Sequence, residues 1–336
     1  MSTALRVHAP GRVNLIGDHT DHMGGLALPC AIDLGITITG DRADAIDLTS
    51  TIDDERVQID LHGPSTVATG WGRYVAAVAA LVPDALGIRG TIGSDLPVGA
   101  GLSSSAALEV ATALALGFAG PPMDLALLAQ RAEHDATGTP TGLLDQLAIT
   151  HGLDGHALFI DFTTLAVEPV RVPDDLDLVV VHSGQRRSVE TSAYAERVAH
   201  CEAATALVGP LPGADRDRIE EIADPVLRSR ARHVRTECDR VRAAVDALRA
   251  DDIDALGELM NASHRSLRDD FEVSTPRLNE LVETLVAVPG VHGARLTGAG
   301  FGGCVVAVCD AGAIADPSAI TGRGWIVRPS TAARVD

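Results

Sequence analysis

Four stretches of this chain gather side chains that can do chemistry at close quarters. Residues 11–21 read Gly-Arg-Val-Asn-Leu-Ile-Gly-Asp-His-Thr-Asp, so that Arg12, Asp18, His19 and Asp21 bring a forked donor, two carboxylates and an imidazole into one short loop. Such a mixture of donors and acceptors suits the vicinal hydroxyls of a sugar, and it equally suits a polar surface turn. Residues 96–105, Leu-Pro-Val-Gly-Ala-Gly-Leu-Ser-Ser-Ser, precede an Ala- and Leu-rich helical stretch. Glycines let backbone N–H groups approach an anion, and a helix N-terminus adds favourable partial charge, so a phosphate cradle is one reading. A serine-capped strand–turn–helix connection is the other.

Residues 132–146 place Glu133 on a helix and Asp145 after a Pro/Gly turn among apolar neighbours. A carboxylate in that setting caps the next helix or takes part in a reaction. Residues 296–303 contain a formal G-x-G-x-x-G at Gly298, Gly300 and Gly303. A dinucleotide fingerprint must open a helix, whereas residues 304–308, Cys-Val-Val-Ala-Val, continue as a strand, so that reading is rejected. The loop is a tight turn between strands or a glycine bridge packed on a nucleotide or substrate.

Composition narrows the chemistry. The chain has 336 residues, 46% hydrophobic and 22% charged, with 27 basic and 46 acidic side chains for a net charge of −19. At about 150 residues per domain, two domains are expected. The negative balance disfavours nucleic acid and anionic membrane surfaces as partners. All the basic residues are Arg; there is no lysine. A Walker A loop, a Schiff-base lysine and a protein-kinase β3 lysine are therefore excluded. The five cysteines, Cys30, Cys201, Cys238, Cys304 and Cys309, are scattered and form no CxxC, which predicts reduced thiols rather than a zinc ribbon or disulfide framework. Residues 1–10 lack a signal-peptide core, and the longest uncharged apolar stretch, 110–123, contains Pro121 and Pro122 and is too short to span a bilayer. The expectation is a soluble, cytoplasmic protein.

The elements that must position these residues follow from periodicity. Strands are expected at 5–8, 35–39, 45–49, 57–61, 156–161, 178–182, 292–296 and 304–308, and helices at 71–81, 103–118 and 125–136. Longer charged helices are expected at 189–207, 226–249, 253–267 and 276–286. A mixed α+β architecture with a junction near 172–177, where Pro173 and three aspartates cluster, gives domains 1–172 and 173–336.

The order and combination of these motifs resemble the GHMP small-molecule kinases, and their galactokinase branch in particular. Residues 12–21 and 28–33 are similar to its sugar-binding signature, 96–106 to its ATP motif, 295–304 to its third motif, and 261–274 to a helix segment of the branch. The resemblance runs from about His8 to Val308. It implies an N-terminal domain like the second domain of ribosomal protein S5, a C-terminal ferredoxin-like domain with added helices, and an active site between them.

It also implies roles. Asp145 would be the catalytic carboxylate beside the sugar's anomeric hydroxyl, with Arg12 stabilising developing charge. Asp18, His19, Thr20, Asp21, Gly142 and Tyr194 would line the sugar pocket. Gly99, Ala100, Gly101, Leu102, Ser103, Ser104 and Ser105 would hold ATP, with Ser105 and Glu133 as Mg²⁺ contacts. The implied partners are a small sugar and Mg-ATP, with a monomer as the working form. Galactose is the implied substrate; a 1-kinase for L-arabinose, N-acetylgalactosamine or a modified sugar, and a non-catalytic sugar sensor, are the other readings. The family pattern has Glu where Asp18 stands and Tyr-Asn where His22-Met23 stands, and both departures bear on the sugar rather than on ATP.

Overall fold

The structure, a computed structural model, describes residues 5–61, 69–97, 100–139, 141–185 and 190–336. The chain opens with β1 (Leu5–Asn14), β2 (Leu26–Ala27), β3 (Pro29–Ala43), β4 (Ile46–Ser50) and β5 (Arg56–Ile59), followed by α1 (Gly72–Leu81) and β6 (Gly87–Ser94). Three helices, α2 (Ser104–Ala115), α3 (Pro122–Thr137) and α4 (Leu144–His151), then lead to β7 (His156–Asp161) and β8 (Ala166–Arg171). Next come β9 (Leu176–His182), α5 (Glu190–Val208), α6 (Arg216–Glu220), α7 (Pro225–Arg249), α8 (Ile253–Asp269) and α9 (Pro276–Val286). β10 (Val291–Thr297), β11 (Cys304–Asp310), α10 (Ser318–Thr321), β12 (Gly324–Val327) and β13 (Arg334–Val335) complete the described elements.

Three sheets result, ordered β13-β1-β3-β6-β4-β5, β10-β11-β9-β12 and β2-β7-β8. The second sheet is antiparallel throughout, and its path β9–helices–β10–β11–α10–β12 is the split βαβ arrangement of a ferredoxin-like unit with helices inserted. Its central strands β9 and β11 are almost continuously apolar because both faces are covered. The expected junction at 172/173 falls between β8 and β9. Residues 330–336 nevertheless return to the first sheet, where β13 pairs with β1 and the Ser330 N–H donates to the Ala31 carbonyl.

The long helices are legible because their ends are written chemically. Asp224, Asp252 and Thr275 each accept backbone N–H groups at the starts of α7, α8 and α9, and Pro follows at the first position of α7 and α9. α7 also bridges the two halves. Cys238, Val241, Ala244, Val245 and Leu248 pack into the same core as β1, β3 and α2, whereas Ala231 and Val234 join the core beneath the second sheet.

Elements without such signals run differently from expectation. β1 continues six residues past the expected 5–8 strand, through Pro10 and Gly11, and its register against β3 shifts between Pro10 and Arg12. A bulge of this kind re-aims the side chain beyond it, here Arg12. β6, with its repeated glycines, and α4, whose Leu143 N-cap makes no side-chain bond, carry no clear pattern and were not expected.

Helix α8 lies against the edge strand β10 with almost no side chain between. A Cβ on Gly257 would fall 2.2 Å from the His292 carbonyl oxygen, and one on Gly293 would fall 2.3 Å from that of Gly257. Asn261 Oδ1 accepts the Ala294 N–H at 3.0 Å, so α8 satisfies part of the open edge. Replacing a helical Gly by Ala ordinarily stabilises by up to about 1 kcal/mol. Gly257→Ala should instead destabilise by about 1–3 kcal/mol through overpacking, read as a lower urea midpoint.

Candidate active site

The bulge in β1 delivers Arg12 into a buried position where it meets three things at once. Its Nε and Nη2 both lie 2.6 Å from Asp145 Oδ1, and its Nη1 donates to the Gly101 carbonyl at 2.6 Å. The Arg12 backbone N–H also donates to the Leu102 carbonyl at 3.2 Å. One residue therefore pins the Gly-rich loop and the carboxylate together. Ser103, the residue before α2, sits in the left-handed region at φ 61° and makes no cap bond; its hydroxyl donates to Asp145 Oδ2. Asp145 lies in the first turn of α4 and is not its cap. Its side chain keeps 28% exposure, and that exposed part opens into a cleft of about 900 Å³.

A second pair stands across the start of α2. Ser105 Oγ donates to Glu133 Oε1 at 2.8 Å, and Gln146 Nε2 donates to Glu133 Oε2 at 2.7 Å. Burial, then Asp145, raise the Glu133 carboxyl above the ordinary range despite these bonds. Among the described residues no group of three or more His, Cys, Asp or Glu forms a metal cage.

The loop that follows β1 forms the other wall. His19, at φ 63°, has its ring 4.7 Å from Phe271 and 5.9 Å from Tyr194. Burial, with His22 and His233 nearby, pushes its pKa well below the usual value, so the ring is neutral, and its Nε2 has no partner among the described residues. Asp21 rests directly on Gly142, where a Cβ would fall 1.5 Å from Asp21 Oδ2, so only glycine fits there. Burial raises the Asp21 carboxyl, but the His22 hydrogen bond and charge, with His19 behind, outweigh it and leave it lowered and ionised. Tyr194 stays a phenol, because burial, then Asp21 and Asp145, push its pKa well up.

Not every expected residue reaches the cleft. The Thr20 hydroxyl donates to the Gly17 and Leu26 carbonyls and is fully buried, so it staples the loop rather than facing a ligand. Asp18 lines the cleft, but Arg295 Nη2 lies 2.5 Å from its Oδ2 and the Gly298 N–H donates to its Oδ1 at 3.1 Å. Both its oxygens are thereby engaged by the second sheet. Ala100 and Leu102 are buried under the loop, whereas Gly101, Ser103, Ser104 and Ser105 face the cleft. Gly99 lies outside the described residues.

The cleft also takes in Arg73, Tyr74 and Arg323, which lie outside the four stretches, and Gln146, Gly298 and Ala299, which lie within them. Tyr74 falls in the helix expected at 71–81, and the sequence leaves the glycine turn at Gly298 open between a tight turn and a ligand bridge. The turn does join β10 to β11, and it also lines the cleft.

With this geometry in place, the matches to known proteins are informative. A "Galactokinase galactose-binding signature" covers residues 2–42, the GHMP kinase N-terminal domain covers 73–153, and the GHMP kinase C-terminal domain covers 215–317. The galactokinase of Homo sapiens is 40% identical over 92% of this chain and 84% of its own. That of Thermococcus kodakarensis is 37% identical over 92% and 90%. The chain belongs to the galactokinase branch of the GHMP kinases. The crystal structure of Lactococcus lactis galactokinase complexed with galactose superposes with a TM-score of 0.92 at 30% identity, covering 99% of this chain and 95% of that one. Methanococcus jannaschii mevalonate kinase, at a TM-score of 0.72 and 20% identity, shares the fold. The galactokinase signature spans β1, the loop with His19 and Asp21, and most of β3, which is the wall built here around Asp145.

That wall is held from behind by α7. Glu237 accepts the Gly17 N–H at 2.9 Å, the Ser263 hydroxyl at 2.5 Å and Arg240 Nε at 2.7 Å. His233 Nε2 lies 3.2 Å from the Asp18 carbonyl. Burial lowers His233 to about 4. Burial alone would raise Glu237, but Arg240 and His233 win and hold it at about 2. An unfolded chain takes a proton on His233 below its ordinary 6.5, which the folded chain refuses until about 4. Stability must therefore fall as pH drops from 6.5 to 4, and fall further towards 2 as Glu237 is forced to protonate. The His233 contribution, on the order of 3 kcal/mol, should disappear in His233→Gln, giving a flatter melting temperature between those pH values.

Proposed function

We propose that this protein transfers the γ-phosphoryl group of ATP to the anomeric hydroxyl of galactose, yielding galactose 1-phosphate and ADP. The observation that carries the reading is the part-exposed carboxylate of Asp145, gripped by Arg12 and Ser103 at the cleft. A carboxylate so fixed can accept or orient the proton of an attacking hydroxyl without turning away. Arg12 lies close enough to stabilise charge that develops there. Neutral His19, ionised Asp21 and phenolic Tyr194 supply the donors and acceptor for the remaining sugar hydroxyls. The backbone N–H groups at the start of α2 and the Ser103–Ser105 hydroxyls suit the triphosphate, in a chain that has no lysine for the task.

Ser105 Oγ and Glu133 Oε1 are hard oxygen donors on one side of the cleft, too few to enclose an ion alone. That is the donor set Mg²⁺ takes when nucleotide oxygens complete its shell, so these two residues would hold it. When bound, the ion neutralises phosphate charge. The five described cysteines are all free and buried, and no described helix is long and apolar enough to cross a membrane. We place the enzyme in the cytoplasm, acting as a monomer on sugar and Mg-ATP.

Asp145→Asn should lower turnover by about 100-fold or more while ATP still binds, measured by coupled ADP release and by calorimetry. Wild-type turnover in that variant would remove Asp145 from the reaction. The second reading, a 1-kinase for a related sugar, is favoured by His22 standing against Asp21 and Tyr194 at the sugar wall. In a panel of galactose, L-arabinose and N-acetylgalactosamine, kcat/KM should be highest for galactose. A higher value for either of the others replaces galactose as the substrate.

A further inference from the structure

Beneath the Ser105–Glu133 pair lies a polar layer that the reaction as described does not use. Glu109 is one helical turn on from Ser105 in α2 and wholly buried, and neither of its carboxyl oxygens meets a partner in good hydrogen-bond geometry, although Gln146 lies within reach. An ionised carboxylate in such a place is very costly. Burial, then Glu133 and Asp145, push its pKa well above the carboxylate range, which leaves a neutral carboxyl with one O–H to give. Gln146 is the polar side chain facing it and is itself wholly buried. Gln146 spends its Nε2 on Glu133 Oε2 at 2.7 Å, and its Oε1 is buried with no donor.

The two side chains adjoin, so a neutral Glu109 and the unsatisfied Gln146 Oε1 are complementary as donor and acceptor. Joining them yields one chain of bonds: Glu109 O–H to Gln146 Oε1, Gln146 Nε2–H to Glu133 Oε2, and Ser105 Oγ–H to Glu133 Oε1. We propose that Gln146, seated on Glu109, is a positioning residue that fixes the Glu133 carboxylate, engaging Oε2 so that Oε1 stays beside Ser105 and available to the metal. The inference rests on the reading of Glu133 as a metal contact. Because Gln146 directly follows Asp145 on α4, one turn of helix then sets both the carboxylate at the sugar and the carboxylate at the metal.

The test is Mn²⁺ binding to the full-length protein with ADP, followed by electron paramagnetic resonance, alongside the Mg²⁺ dependence of the rate. Gln146→Met keeps the length of the side chain without its N–H. It should weaken Mn²⁺ about tenfold and raise half-maximal Mg²⁺ similarly, with KM for galactose at saturating Mg²⁺ unchanged. Glu109→Gln, which keeps a donor, should bind Mn²⁺ as wild type does, whereas Glu109→Met should share the defect of Gln146→Met. The double variant Glu109→Met/Gln146→Met should be no worse than Gln146→Met alone. Wild-type Mn²⁺ affinity in a folded Gln146→Met would overturn the proposal, as would a Glu109→Gln variant as defective as Glu109→Met. Glu133→Gln is measured beside them: if it too binds Mn²⁺ normally, the metal reading of Glu133 falls together with this inference. If only Glu133→Gln is impaired, this inference alone falls.

Discussion

Everything in the cleft is referred to the guanidinium of Arg12. It is buried, it contacts Asp145 through two nitrogens, and it holds the Gly101 carbonyl with the third. The planar fork is what allows one side chain to fix a carboxylate and a loop in a single geometry; an ammonium on a flexible stem would not. Remove it and the Gly-rich loop, α4 and the bulged end of β1 lose their common anchor. The part-exposed carboxylate of Asp145 would then be left with Ser103 alone.

The charge pattern of the cleft follows the same economy of cations. Asp21, Glu133 and Asp145 line it together with Arg73 and Arg323, while Arg12 is committed to Asp145 and Arg295 to Asp18. A protein of net charge −19 without lysine does not attract a bare polyphosphate by its own field. Arg73 and Arg323 in the lining and the backbone N–H groups at the start of α2 are what the chain itself offers a phosphate.

Much of the site was readable because its residues stand in contiguous stretches. Arg12, His19 and Asp21 share one stretch, the end of β1 and the loop after it, and Ser103 to Ser105 share another at the start of α2. The ferredoxin-like unit was readable as far as its strands were apolar runs and its helices had Asp or Thr caps. What escaped notice was determined across the chain rather than along it. Thr20 looked like a sugar ligand by position, yet its hydroxyl closes a turn. Asp18 looked exposed to substrate, yet its partner is nearly 280 residues away in Arg295. α4 has no side-chain cap and so no signal along the chain, although it carries Asp145 and Gln146. Glu109 reads as one more polar position in an Ala-rich helix, and only the packing of α2 against α3 and α4 shows that it is dry on all sides.

The pairing of β13 with β1 has a bearing on how the chain is made. β1 lies between β3 and β13, so the strand that carries Arg12 has an open edge until residues 334–335 leave the ribosome. Its other neighbour, β3, is available some 300 residues earlier. The first unit can therefore collapse during synthesis with one edge of its sheet unsatisfied, a state that invites pairing with another chain. Short as it is, β13 covers that edge at Val7 and His8 and so shortens the length of β1 open to another chain.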